Sequence, residues 1–166
     1  MNAFQTALDQ GPVTADEAFA LFDSLPTVEP EFMLGDWAGE PFPTGHPMDG
    51  ALEATGWRGK RFDSVDAVHP LLFHDGQGGV FAVHPGRFMG QPEPGPAIER
   101  RAELETDQPA ARLRSMLHRG QVTTAMIYDD LPIIDLFRRV DDQTVLAVMD
   151  MRNMPLSYFF VLRRLG

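Results

Sequence analysis

Asp135 interrupts the apolar run Pro132-Ile133-Ile134-Asp135-Leu136-Phe137-Arg138. A carboxylate in apolar surroundings loses hydration, its pKa rises, and it can act as an acid or a base near neutrality. On a strand it shares a face with Ile133, Phe137 and Arg139, while Ile134, Leu136 and Val140 lie on the other. Both faces are apolar, so alternation does not choose the inner one. The alternative is a carboxylate that faces solvent or pairs with Arg138, Arg139 or Arg152. Asp150, within Val148-Met149-Asp150-Met151, raises the same question and has the stronger case for facing outward.

His46 is the second candidate for moving protons. It stands in a turn-rich loop, residues 41–50, that reads as the rim of a pocket with His46 facing it. Tyr128 ends a strand beside Asp129-Asp130 and offers a hydroxyl either to a ligand carbonyl or to the rim. Lys60, within Gly59-Lys60-Arg61, would bind an anion or a carbonyl strongly if it pointed inward, and is bland if exposed. Trp37, Trp57, Phe137 and Met149 are the apolar candidates for contact with a ligand. The nine methionines suit an adaptable apolar cavity as well as an ordinary core.

Other chemistry lacks its residues. Cysteine is absent, so there is no thiolate nucleophile, thiolate metal site or disulfide. The five histidines, His46, His69, His74, His84 and His118, show no metal-ligand spacing, and no metal site is expected. No nucleophile elbow or phosphate-binding loop occurs, and Gly76-x-Gly78-Gly79 has no βαβ frame. The available residues favour cofactor-free acid–base chemistry of the isomerase, cyclase or hydratase/dehydratase (lyase) type, or binding alone.

These residues must be positioned by a chain of 166 residues, a length that suits one domain. Its net charge of −10 argues against nucleic acid or anionic membrane as partner. The first ten residues do not read as a secretory signal, and no apolar stretch approaches the ~20 residues that span a bilayer. The expectation is a soluble cytoplasmic protein whose partner is a small apolar organic molecule, with a homodimer allowed.

Thr14-Ala15-Asp16-Glu17 has capping-box spacing and opens a helix over residues 14–25, stopped by Pro26. Asp63-Ser64-Val65-Asp66 reads as a short helical start with Pro70 as its stop. Residues 110–118 are open between helix and strand. Residues 32–40, 57–62 and 79–84 read as strands. From residue 121 to 164 four β-rich segments (121–128, 133–140, 144–151, 158–164) separated by short turns predict an antiparallel meander. Fourteen prolines and fifteen glycines supply the turns of a mainly β chain. Closure into a β-barrel would remove exposed edges and leave room for one small ligand.

Gly35, Trp37 and Gly39 form a Gly-x-Trp-x-Gly unit with all three on one strand face. The glycines leave room for a backbone or ring to approach, and Trp37 either plugs one end or meets a ligand. The stretch GDWAGEPFPTGHPMDGALEATGWRGKRF, residues 35–62, resembles the bacterial GXWXG family, and the segments TTAMIYDDLPIIDLFRRVDDQTVLAVMDM and YFFVLRRLG resemble its companion C-terminal domain of unknown function. The resemblance implies a small β-barrel protein and leaves its function open. The Gly-x-Trp start is also similar to calycin-type barrels, namely lipocalins and the haem-binding nitrobindins. A nitrobindin-like protein implies an axial histidine near the C-terminus. This chain has none after His118, and Met149, Met151, Met154 and Tyr128 are weak substitutes. Haem or another cofactor is therefore the second expectation and no cofactor the first. The fold expected is a mainly β, antiparallel, calycin-like barrel with an N-terminal α-helix, built as one domain over residues 1–166.

Overall fold

The computed structural model describes residues 2–91 and 95–166. Two helices come first, α1 (Ala3–Gln10) and α2 (Ala15–Ser24). The capping box forms as the spacing predicts: the Glu17 N–H donates to Thr14 Oγ1 at 3.1 Å, and the Thr14 N–H donates to the Glu17 carboxylate at 2.7 Å. Helix α1 was not expected. It buries only Phe4, too narrow an apolar stripe to mark a helix in the sequence. A 3-10 turn (Pro30–Met33) occupies the start of the predicted strand over 32–40, so β1 runs Gly35–Pro41.

Helix α3 (Ala51–Thr55) precedes β2 (Trp57–Ser64), β3 (Ala67–His74) and β4 (Val80–Ala82). The short helix predicted from Asp63 is a hairpin turn between β2 and β3. Pro70, read as its stop, lies inside β3. It falls opposite the register shift between Gly59 and Arg61, where its missing N–H interrupts no regular ladder. Short helical turns α4 (Pro85–Phe88) and α5 (Arg101–Leu104) lead to β5 (Ala111–His118), which resolves the open reading of that segment as strand. The meander follows as β6 (Gln121–Tyr128), β7 (Ile133–Asp141), β8 (Thr144–Met151) and β9 (Tyr158–Leu165).

Among the described residues all strands belong to one antiparallel nine-stranded sheet, ordered β2-β1-β9-β8-β7-β6-β5-β3-β4, with a further β2–β3 pairing that closes the sheet on itself. Strand β3 reaches β5 through Val68↔Ala111 and lies beside β4 further along.

Two apolar layers result. The inner one holds Trp37, Phe62, Phe137 and Met149, and the outer one packs Phe4, Phe22 and Ala18 of the helices onto Ala125, Leu136, Leu146 and Phe159. Strands β7 and β8 are therefore buried on both faces. That explains the apolar residues on either side of Asp135. Ile133, Asp135 and Phe137 face inward. Arg138 is on the other face, stacked 5.0 Å from Phe22, and its Nη1 donates to the carbonyl of Leu25 at 2.9 Å beyond the end of α2. Asp150 is exposed.

Trp37 fills the inner layer beside the start of β1. It is fully buried, and its Nε1 donates to the Met33 carbonyl at 2.8 Å. The Arg164 guanidinium lies 4.2 Å from its ring and donates to the carbonyls of Phe32 and Leu34 at 2.6 and 2.8 Å. The glycines around it have separate jobs. A Cβ at Gly39 would stand 2.1 Å from the Trp57 ring, so Gly39 makes room for the second tryptophan. Gly59, at φ +153, passes so near the Trp37 carbonyl that a Cβ would lie 1.9 Å from its oxygen.

Two histidines make stability pH-dependent. Burial holds His69 and His118 below the ordinary imidazole pKa; Arg61 adds to this at His69, and Arg119 at His118. Nearby Asp63 and Asp107 oppose the shift at His69, as Asp150 and Asp23 do at His118. The unfolded chain then takes up protons first as pH falls below about 6.5, so stability is lost through that window. The urea midpoint should fall between pH ~7.5 and pH ~5.5. His118→Phe, which keeps a ring against Phe22 (centroids 5.9 Å apart), should flatten part of that fall; an unchanged slope would clear His118.

Candidate functional site

Strand β2 does not keep strict alternation. Trp57 and Lys60, three residues apart, would face opposite sides of a regular strand. The register with β3 shifts between Trp57 and Gly59, and again between Gly59 and Arg61. Such irregularities re-aim side chains, and here both residues reach the same interior cavity.

That cavity occupies about 340 Å³. Its polar floor is built by Lys60, Asp135 and Tyr128. Lys60 Nζ lies 3.0 Å from Asp135 Oδ2, and both side chains are almost fully buried. The same ammonium donates to the Pro70 carbonyl at 3.3 Å and to Tyr128 Oη at 3.4 Å. The rings of Phe160, Trp57 and Tyr128 surround it at 5.3, 5.5 and 5.6 Å. Asp135 Oδ1 is buried and has no hydrogen-bond partner among the described residues. Burial raises the Asp135 pKa, and the Lys60 charge and hydrogen bond oppose that rise. Burial, and then the Asp135 charge, push Tyr128 well above the ordinary phenol range, so it stays a neutral hydroxyl.

The rest of the wall is apolar or neutral. Met149 and Tyr158 continue a cross-strand row from Asp135, through Asp135↔Met149 and Met149↔Tyr158. Met48, Leu52 and Thr55 contribute from the loop before α3 and from α3 itself. Phe88 and Met89 contribute from α4 and the residue after it. Burial raises the Tyr158 pKa, reinforced by the charges of Glu53 and Asp49.

Asp135, Lys60, Tyr128, Trp57 and Met149, singled out in the sequence, thus line one cavity. Trp37, Phe137 and His46 do not. Trp37 and Phe137 belong to the filled end, where Phe137 meets Phe62 edge-on at 6.0 Å. His46 stands behind Tyr158, with ring centroids 5.4 Å apart. Its Nδ1 accepts from the Met48 N–H at 3.0 Å, which leaves Nε2 protonated and donating to the Leu156 carbonyl at 3.1 Å. It ties the rim loop to the β8–β9 turn. Sequence reasoning missed Tyr158, Phe160 and the segment at 88–89. The first two carried a signal, because they share a strand face two residues apart next to the β8 methionines. The third carried none.

The fold and site define a class: a closed antiparallel sheet around an apolar cavity with one buried, hydrogen-bonded ion pair at its floor. Within that class the chain belongs to the GXWXG protein family, whose model matches residues 20–78, while residues 109–164 match a domain of unknown function, DUF4334. A solved structure described as a protein from Thermomonospora curvata is 33% identical, covers 96% of this chain and 93% of its own, and superposes with a TM-score of 0.75. No functionally curated protein matches.

Proposed function

We propose that this protein binds a small, mostly apolar organic molecule in the interior cavity and performs cofactor-free proton transfer on it. The reading takes the closed sheet as a calycin-type β-barrel, an architecture that holds one small ligand. The observation that carries it is Asp135 Oδ1, a buried acceptor with no partner among the described residues, in a mostly apolar cavity. Such an atom is expensive to bury unless something pairs with it.

Asp135 is the base. Its carboxylate takes a proton from a carbon next to a ligand carbonyl, and the Tyr128 hydroxyl donates to the carbonyl oxygen as negative charge develops there. Return of the proton from Asp135 to a different carbon gives an isomer with atoms and charge conserved. Cyclisation and dehydration begin with the same transfer. Lys60 offsets the Asp135 charge and holds both partners in place. No histidine lines the cavity among the described residues, which disfavours histidine-ligated haem there.

Native mass spectrometry of the full chain purified from its own host tests the proposal. A bound apolar metabolite is expected, and haem in its place would overturn the reading. Asp135→Asn should then reduce turnover of that metabolite by about 10²–10⁴-fold while the circular dichroism stays native. Unchanged turnover would remove Asp135 from the mechanism.

A further inference from the structure

The polar floor also constrains the charge of what binds. An ammonium has three N–H donors. In Lys60 they face three acceptors: Asp135 Oδ2, the Pro70 carbonyl and Tyr128 Oη. Its charge is matched by Asp135 at 3.0 Å. What the ion pair and its tyrosine leave for a ligand is therefore the acceptor Asp135 Oδ1 and the Tyr128 O–H, beside the neutral polar groups of Thr55, Trp57, Gln91 and Tyr158 on the same lining. No other charged side chain lines the cavity among the described residues.

Resting on the function proposed above, we infer that the site selects an electrically neutral molecule: an alcohol, aldehyde or ketone on an apolar body of about ten carbons, a size suited to a cavity of this volume. A carboxylate of the same length would have to leave water, meet the Asp135 carboxylate, and find only neutral donors, such as the Tyr128 hydroxyl and the Trp57 indole N–H, because the one ammonium is already paired. An unpaired buried charge of this kind is a strong repulsive element in specificity. The rim works in the same direction. The segment at 48–55 carries Asp49 and Glu53 and no basic residue, and the chain as a whole is at −10, so anions are also disfavoured on approach.

The experiment compares decanol, decanone and decanoate with the full chain at about pH 8, where the acid is ionised. Tryptophan fluorescence reads binding through Trp57 on the cavity wall. The alcohol and the ketone should bind about tenfold or more tightly than decanoate. Decanoate binding as tightly would overturn the charge selection and leave the apolar pocket standing. Failure of all three to bind would overturn both. Asp135→Asn supplies a second reading, because it leaves Lys60 uncompensated. Preference should swing toward decanoate by about tenfold relative to decanol, and an unmoved preference would overturn the assignment.

Discussion

Lys60→Met should destabilise the protein by about 3–5 kcal/mol, because it leaves the Asp135 carboxylate buried and unpaired. The pair lies 3.0 Å apart with side chains 3% and 1% exposed, so the carboxylate would lose its charged partner in a site largely shielded from bulk solvent. The carboxyl escapes by protonating. Its folded pKa is already raised by burial, and without Lys60 it must rise further. A carboxyl with a raised folded pKa destabilises the native state as pH rises through that value, so the penalty should shrink toward acid and grow toward alkali. Urea titrations of wild type and variant at several pH values read this directly. The double variant Lys60→Met/Asp135→Leu should recover most of the loss, since a buried pair can often be replaced by apolar residues at little cost. A single-variant loss below ~1 kcal/mol would mean the pair is hydrated in solution.

Trp37→Ala should cost about 3–5 kcal/mol. The fully buried indole leaves a large void on removal. The Met33 carbonyl loses its donor and the Arg164 guanidinium loses the ring beneath it. Trp37→Phe separates these contributions. It keeps a ring under Arg164 and loses the hydrogen bond, for about 1–2 kcal/mol. Chemical denaturation of both variants checks the order, and equal losses would place the whole effect in the hydrogen bond.

Much of the frame was legible because it rests on local chemistry. The Thr14–Glu17 capping box and the β-branched meander between turns needed no knowledge of the tertiary fold. The individual polar residues were legible too, since Asp135 and Lys60 stand out in their strands. Their meeting was not. Strands β2 and β7 are not neighbours in the sheet, so the ion pair crosses the interior, and no sequence spacing encodes it. Lys60 points inward only through the irregular pairing of β2 with β3, whose sequence trace is Gly59 opposite a proline-bearing strand. The inner face of β7 was hidden for another reason: helices α1 and α2 cover its back, so both faces are apolar. The Asp63 segment misled because an Asp-Ser start serves a hairpin turn as well as a helix cap. His46 misled because a turn histidine bonded to backbone on both sides has the same sequence surroundings as one that faces a ligand.

The pairing of β1 with β9 has a kinetic consequence. Asp36 lies beside Leu165, so one edge of β1, whose other edge pairs with β2, waits for β9. The outer helices wait as well, because the surfaces they cover belong to β6 through β9. Contacts so distant along the chain slow folding. During synthesis the nascent N-terminal segment should depend on chaperones to shield Phe4, Phe19 and Phe22 until the ribosome has released β9.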